Sequence, residues 1–301
     1  MTETENASSI AGKFEDFITS RLANGVRDST IKSYRGAFLS IEKYIDIYQP
    51  LVALKKADID KMIVGMRQKG LHDTSIQTYT RCLKVFLLWA EGEGYTVPNF
   101  KVYHADITLK TPYSNQELQR LLAAPSIGCE FWELRDWTIE NFLLNSGCRA
   151  ATLRSILLKD IDFENASVTF RHTKNGRPQI MPLCVEMKSI LKYYLRVRNG
   201  SEDDVLFCND HFQPLTQSAL RKTIIKYNES RGVYKKSIHL FRHTFAKNFI
   251  LNCGGDPFTL QYLLGHRTLE MTKRYCQLYN ADVKNRFNDI CPLTKILHVD
   301  H

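Results

Sequence analysis

Apolar side chains recur every third or fourth residue along most of this 301-residue chain, and this spacing constrains the fold more than any other feature of the sequence. It places the apolar groups on one face of an α-helix, which must then be buried against a core. In the first hundred residues the spacing predicts four helices. Their apolar faces comprise Ile10, Phe14, Phe17, Ile18 and Leu22; Ile31, Tyr34, Phe38, Ile41, Ile45 and Tyr48; a shorter face beginning near Asp58; and Ile76, Tyr79, Leu83, Phe86, Leu87 and Ala90.

The helical pattern lapses between Tyr95 and Pro112, where two prolines accompany a polar stretch. A composition of this kind is typical of an interdomain linker. We therefore predict a helical domain over residues 8–95, a linker over residues 96–112 and a second domain over residues 113–301.

One part of the second domain has the pattern of a β-hairpin. Its two short runs are 168–172 and 179–183, and the Asn-Gly pair in the connecting segment 173–177 suits a tight turn. A capping box of Ser114 and Glu117 predicts that a helix begins just after the linker. The chain is thus predicted to be mainly α-helical, with a small hairpin in an α+β second domain. The helices expected after the hairpin cover about 185–199, 216–230, 239–252, 256–264, 268–279 and 282–290.

The charge of the chain favours a polyanionic partner. Lys and Arg number 41 against 32 Asp and Glu, which gives a net charge of +9. Residues 1–110 hold 15 basic and 13 acidic side chains, whereas residues 111–301 hold 26 and 19, so the excess is concentrated in the second domain. A basic domain of this kind is typical of a protein that binds nucleic acid.

Other classes of protein are disfavoured by composition. The hydrophobic fraction of 44% and the charged fraction of 24% are those of a globular protein, not of a disordered or collagen-like chain. The eight cysteines form no CxxC pair and no zinc-ligand cluster with histidine. The first ten residues are acidic and polar, and the longest apolar run, near residues 85–90, is far too short to span a bilayer. We therefore expect a cytoplasmic protein without a membrane segment.

The second domain contains a series of short basic and histidine-bearing motifs. Each motif alone is a weak signal, because a single Arg, Lys or Tyr is usually a surface or packing residue. In chain order they are Ser146-Gly147-Cys148-Arg149, Thr173-Lys174-Asn175-Gly176, His239-Leu240-Phe241-Arg242-His243 and Leu264-Gly265-His266, followed nine residues later by Tyr275.

In this order and spacing the motifs resemble the tyrosine recombinase (phage integrase) family, in its simple two-domain Xer-like or mobile-element form. The resemblance implies that residues 8–95 are a core-binding domain, that residues 113–301 are the catalytic domain, and that residues 280–301 are a C-terminal segment exchanged between protomers. Its implied catalytic residues are Arg149, Lys174, His239, Arg242, His266 and Tyr275.

The implied reaction explains two of these residue types. Transesterification of a DNA phosphodiester builds negative charge on the non-bridging oxygens, and the planar guanidinium groups of Arg149 and Arg242 are suited to stabilise it. The resemblance makes Tyr275 the nucleophile. Because tyrosine has an ordinary pKa near 10, it needs an acceptor for its proton.

The remaining catalytic positions supply proton transfer and binding. His239 is the candidate general base for the tyrosine, and Lys174, on the hairpin turn, is the candidate general acid for the expelled 5′ oxygen. His266 would donate a hydrogen bond to the phosphate. No cofactor and no metal are implied.

The resemblance also implies the substrate and the assembly. The chain is expected to cleave and rejoin double-stranded DNA at inverted-repeat core sites, through a 3′-phosphotyrosyl intermediate and a Holliday junction. It would be largely monomeric alone and tetrameric on DNA. Whether it integrates and excises a mobile element or resolves chromosome or plasmid dimers stays open. The residues expected to contact DNA are Arg27, Lys32, Arg35, Arg81 and Lys84 in the first domain, and Arg177 and His243 in the second.

Two departures leave alternatives open. Family members commonly have an acidic residue three positions after the first arginine, where this chain has Thr152. Tyr279 lies one helical turn beyond Tyr275 and is the competing nucleophile. A type IB topoisomerase would use similar chemistry. The alternative from another class is a DNA-binding accessory protein that keeps the fold with impaired catalysis.

Overall fold

The computed structural model describes residues 8–106, 111–173, 176–270 and 272–273. The chain divides into two compact units, Met1–Leu109 and Lys110–His301. Within the described ranges, no helix is both long and apolar enough to cross a membrane.

The first unit is built from four helices around an aromatic core. Phe14 and Phe38 stack with ring centroids 3.8 Å apart, and Phe86 meets the Phe14 ring edge-on at 5.6 Å. All three rings are buried, so they fix how three of the helices pack. The helices are α1 (Ile10–Ala23), α2 (Asp28–Ile41), α3 (Lys56–Gln68) and α4 (Asp73–Gly92), with a 3₁₀ turn at Leu51–Ala53.

Helix α2 is shorter than the apolar spacing predicts. It ends at Ile41, and Tyr48, predicted to lie on its apolar face, is 59% exposed. The segment that follows α2 is hydrogen-bonded to the start of α1. The backbone N–H groups of Ile10 and Ala11 donate to the carbonyls of Gln49 and Ile47. Those carbonyls satisfy donors at a helix N-terminus that have no partner within the helix.

The second unit is an α+β domain that begins with the predicted capping box. The Ser114 N–H donates to Glu117 Oε2 at 2.7 Å, and the Glu117 N–H donates to Ser114 Oγ at 3.2 Å, which confirms the helix start. The helices of this unit are α5 (Asn115–Leu122), α6 (Phe131–Ser146), α7 (Ala150–Leu153), α8 (Val185–Arg198), α9 (Gln217–Ser230), α10 (His239–Leu251) and α11 (Pro257–Leu264). Of the two last predicted helices, 282–290 lies outside the described residues and 268–279 lies largely outside them.

A three-stranded antiparallel sheet completes this unit. Its strands are β1 (Ile161–Asp162), β2 (Ser167–Phe170) and β3 (Gln179–Pro182), in the order β1-β2-β3. The pairing of β2 with β3 confirms the predicted hairpin, although β2 ends two residues earlier than expected. Strand β1 was not predicted, because two residues are too few to show an alternating pattern. The mainly helical fold with a small sheet is therefore confirmed.

Helix α6 is buried on nearly all sides, because α5, α8, α9 and α10 pack around it. It carries Glu140, which is fully buried and whose two carboxylate oxygens have no hydrogen-bond partner in the described part of the chain. Burial raises the pKa of Glu140 well above its ordinary value, and the nearby Asp136 raises this pKa further. At a pH where the Glu140 carboxyl is ionised in the unfolded chain, burying it lowers the free energy of unfolding.

We expect Glu140→Gln to raise the free energy of unfolding at pH 8 and to change it little near pH 4.5. The folded-state pKa is raised, so wild-type stability is lost as the pH rises above about 4.5, where the unfolded carboxyl ionises. Urea unfolding at both pH values measures the difference. The matched control is Glu164→Gln at an exposed position, which should show no such gain. Lower stability of Glu140→Gln at pH 8 would contradict this account.

Candidate active site

Arg149 lies at the junction of two helices of the second unit. Helix α6 ends at Ser146 and is capped by Gly147, which has a left-handed φ of +57°, and Arg149 is the N-cap residue of α7. A Cβ at Gly147 would lie 2.8 Å from Phe245 and 2.9 Å from Leu264, so only glycine fits this turn without displacing its neighbours. The half-buried Arg149 is thus carried by a tightly packed turn.

Arg242 joins two of the predicted motifs. It lies on α10 and is 3% exposed. Its Nη1 donates to the Gly147 carbonyl at 3.0 Å, and its Nη2 donates to the Leu264 carbonyl at 2.7 Å. The guanidinium therefore holds the turn before Arg149 and the end of the helix before His266 in one place.

His266 lies next to this arginine, at the end of the Leu-Gly-His motif. It is 8% exposed, and its Nδ1 lies 2.8 Å from Thr272 Oγ1. Burial lowers the pKa of His266 to about 4, and the charges of Arg242, Arg149 and His239 act in the same direction. The structure therefore brings four of the six predicted catalytic residues into one electrostatic cluster, in which the His266 ring is neutral at pH 7.

His239 is the first residue of α10 and is exposed. Its ring meets the ring of His243 edge-on, with centroids 4.7 Å apart, one helical turn away on the same helix. His243 is half-buried. The two imidazoles therefore form a pair at the start of the helix that carries Arg242.

The predicted general acid Lys174, the predicted nucleophile Tyr275 and its competitor Tyr279 lie outside the described residues. Beside the Lys174 position, the Gly176 N–H donates to the Thr173 carbonyl at 3.1 Å, and Gly176 has a φ of +75°, as a tight turn requires.

The other hairpin positions are described. Arg177 is exposed, and its carbonyl accepts a hydrogen bond from Thr173 Oγ1 at 2.7 Å. Thr152, which stands where the family commonly has an acid, is buried, and its hydroxyl donates to the His172 carbonyl at 3.2 Å. Thr152 therefore holds the segment that follows β2, at His172.

Gln179 is a site residue that the sequence did not indicate. Its Nε2 donates to the carbonyls of Tyr262 at 2.7 Å and Leu263 at 2.8 Å, at the end of α11. The Tyr262 carbonyl also accepts from the Gly265 N–H at 3.0 Å, so the Gln179 side chain completes the cap of this helix end. Gln179 thereby connects the strand after the Lys174 turn to the segment that carries His266. No local pattern reveals a contact between positions more than eighty residues apart.

Comparison with known proteins decides the family. Residues 113–282 match the model of the phage integrase family, a range that includes all six predicted catalytic positions. The chain belongs to the phage integrase family. It is thus a tyrosine-type site-specific DNA recombinase, as predicted.

Relatives and solved structures match most of the length of this chain. The recombinase is 28% identical to tyrosine recombinase XerC of Treponema denticola, over 93% of this chain and 98% of the relative. The Tn1549 transposon integrase in complex with transposon right end DNA has a similar fold, with a TM-score of 0.76 and 22% identity over 89% of this chain and 94% of that one. A lambda integrase tetramer bound to a Holliday junction gives a TM-score of 0.73 at 16% identity, over 91% and 80% of the two chains.

Of the first-domain residues expected to contact DNA, Arg27, Lys32, Arg35 and Arg81 are exposed, and Lys84 is half-buried. The structure shows side-chain bonds within the recombinase for Arg35 and Lys84. Arg35 forms a bidentate ion pair with Glu15 at 2.6 and 2.8 Å, and Lys84 Nζ donates to Asn99 Oδ1 at 3.0 Å. Contact of Arg35 with DNA would therefore require it to exchange Glu15 for a phosphate, and the DNA-binding role of all five residues stays a prediction.

We expect Gly265→Ala to slow DNA cleavage by at least tenfold while the recombinase still binds DNA. Gly265 has a φ of +59°, and a Cβ there would lie 2.8 Å from Gln179 Oε1, so the substitution disturbs the cap that positions His266. Single-turnover cleavage and gel-shift binding measure the two effects.

The matched control for Gly265→Ala is Gly254→Ala. Gly254 has a φ of +68°, but a Cβ there meets nothing within 4 Å, so this variant shares the backbone strain without the contact. It should cleave DNA nearly as fast as wild type. Equal impairment of the two variants would show that the Gln179 contact is unimportant.

Proposed function

We propose that Arg149, Lys174, His239, Arg242, His266 and Tyr275 form the active site of this recombinase. The observation that carries the proposal is the buried Arg242, whose two carbonyl hydrogen bonds join the segments of Arg149 and His266. A guanidinium presents five N–H donors in a planar fork, a geometry that suits the oxygens of a phosphate. Two arginines beside a neutral imidazole suit a phosphodiester, because they stabilise the charge that develops during transesterification.

The proposed reaction has two steps, cleavage of one strand and its joining to another. The Tyr275 oxygen attacks the phosphorus and forms a 3′-phosphotyrosyl bond as the bond to the 5′ oxygen breaks. His239 accepts the tyrosine proton, and Lys174 donates a proton to the leaving 5′ oxygen. In the second step the 5′ hydroxyl of another strand gives its proton to Lys174 and attacks the phosphotyrosine, and Tyr275 leaves with the proton that His239 returns. A new phosphodiester replaces the bond to Tyr275, so strand exchange passes through a Holliday junction without an external energy source.

We expect Lys174→Ala to slow cleavage of ordinary DNA by about 10²- to 10⁴-fold, the usual contribution of a general acid. DNA whose leaving 5′ oxygen is replaced by sulfur should restore the variant to within about tenfold of wild type, because a thiolate leaves without a proton. Single-turnover cleavage of the two substrates measures the rescue. Equal impairment on both would remove Lys174 from this role, and Arg177→Ala provides the matched comparison on the same hairpin.

We further propose that residues 8–95 bind core DNA, residues 96–112 are the linker and residues 113–301 carry catalysis. The start of the family match at residue 113 supports this division. The proposed substrate has inverted-repeat core sites, and the recombinase would be a monomer in free solution, located in the cytoplasm. By analogy with the lambda integrase tetramer, it would assemble as a tetramer on DNA. The proposed exchange segment, 280–301, lies outside the described residues.

The experiment that tests the function begins with selection of bound DNA from a random pool, which supplies the target site. A nicked suicide substrate containing that site should then trap a covalent complex that survives denaturation with detergent. The control is the same sequence without the nick, on which religation prevents accumulation. Tight binding without any covalent complex would instead indicate the accessory DNA-binding protein with impaired catalysis.

A further inference from the structure

The hydroxyl of Thr272 is hydrogen-bonded to the imidazole of His266. Thr272 Oγ1 lies 2.8 Å from His266 Nδ1, and Thr272 is completely buried. We propose that Thr272 is a positioning residue whose hydroxyl donates to His266 Nδ1 and so keeps the imidazole proton on Nε2. This inference rests on the proposed function for its consequence, because Nε2 is then the atom that donates to the DNA phosphate.

The direction of this hydrogen bond follows from counting donors and acceptors. A hydroxyl has one proton to donate, and burying that proton without an acceptor destabilises the fold. In the described ranges, the Nδ1 of His266 is the only hydrogen-bond partner of the Thr272 hydroxyl. If Nδ1 carried the proton, Thr272 would have to accept, and its own proton would lack an acceptor among the described residues. The arrangement is satisfied when Thr272 donates and Nδ1 accepts.

The direction matters because the ring is neutral. A doubly protonated imidazole would donate from both nitrogens and would make the Thr272 bond irrelevant to the proton's position. Burial of His266 and the charges of Arg242, Arg149 and His239 lower its pKa to about 4, so at pH 7 one nitrogen donates and the other accepts. The partner of Nδ1 then decides which nitrogen donates.

The two tautomers have opposite effects on an anionic substrate. An Nε2–H can donate to a non-bridging phosphate oxygen, whereas an Nε2 lone pair would face that oxygen and repel it. The backbone of His266 is held as well, because its N–H donates to the Gln261 carbonyl at 3.0 Å and its carbonyl accepts from Gln261 Nε2 at 3.3 Å. Gln261 and Gln179 therefore hold the backbone segment that carries the imidazole ring. Thr272 determines which ring nitrogen carries the proton.

The test compares wild type with Thr272→Val, which is nearly isosteric but lacks the hydroxyl, and Thr272→Ser, which keeps it. ¹⁵N NMR of histidine-labelled protein without DNA, with the His266 signals assigned by their loss in His266→Gln, reports the tautomer. We expect the Nε2–H tautomer in wild type and Thr272→Ser, and loss of that preference in Thr272→Val. Single-turnover cleavage should fall about three- to tenfold in Thr272→Val, as for one lost hydrogen bond, and stay near wild type in Thr272→Ser.

Three results would overturn the inference: an Nδ1–H tautomer in wild type, an unchanged tautomer in Thr272→Val, or unchanged cleavage in Thr272→Val despite a changed tautomer. The NMR measurement needs no catalysis, so it separates this inference from the proposed function. A wild-type protein that shows the Nε2–H tautomer but forms no covalent complex with DNA would refute the function and leave the hydrogen-bond assignment intact. If Thr272→Val does not fold, the wild-type tautomer alone still decides whether Thr272 donates.

Discussion

Replacement of Arg242 by alanine is expected to lower single-turnover DNA cleavage by at least 10³-fold. Loss of one donor that stabilises a developing oxyanion commonly costs about 10²- to 10³-fold, and Arg242 also carries a full charge. The substitution additionally leaves the buried carbonyls of Gly147 and Leu264 without their donors, so the segments that carry Arg149 and His266 lose a common anchor. Rapid-quench measurement on the selected site gives the rate.

Two comparison variants separate the charge from the anchor. Arg242→Lys keeps the charge but cannot reproduce two fixed N–H bonds to separate carbonyls, so it should remain strongly impaired. Arg149→Ala removes a guanidinium on a different segment and should lower cleavage by several orders of magnitude with a smaller loss of thermal stability than Arg242→Ala. A rate for Arg242→Ala within about tenfold of wild type would exclude it from stabilising the phosphate.

Tyr275→Phe is expected to abolish covalent complex formation while DNA affinity stays near that of wild type. The substitution removes a single oxygen, which is the proposed nucleophile, and removes little surface. Denaturing gels measure the covalent complex, and gel shifts measure binding. Tyr279→Phe is the matched control and should form the complex normally. The reverse pattern would make Tyr279 the nucleophile.

Local patterns in the sequence were sufficient for most of the fold. The Ser114 and Glu117 capping box and the hairpin of β2 and β3 depend on neighbouring residues, and both are present in the structure. The predicted end of the second helix was wrong, because the carbonyls of Ile47 and Gln49 bind the start of α1. Such a contact between distant segments competes with helix propensity and leaves no local signal.

In the candidate site, too, local motifs were predictable from the sequence, whereas contacts between distant segments were not. The order and spacing of the basic and histidine-bearing motifs resembled the phage integrase family, and the family match over residues 113–282 confirms that resemblance. The residues that hold those motifs together could not be found in this way. Gln179 caps a helix far along the chain, and the backbone bonds of Arg242 and the contact of Thr272 with His266 depend on three-dimensional packing.

The recombinase is proposed to attach itself to DNA through Tyr275. Mass spectrometry of the covalent complex trapped on the suicide substrate, after digestion with trypsin and nuclease, tests this attachment directly. We expect a single modified peptide in which Tyr275 carries the 3′ phosphate of the cleaved strand. Attachment at Tyr279 or at any other side chain, or attachment through a 5′ phosphate, would contradict it.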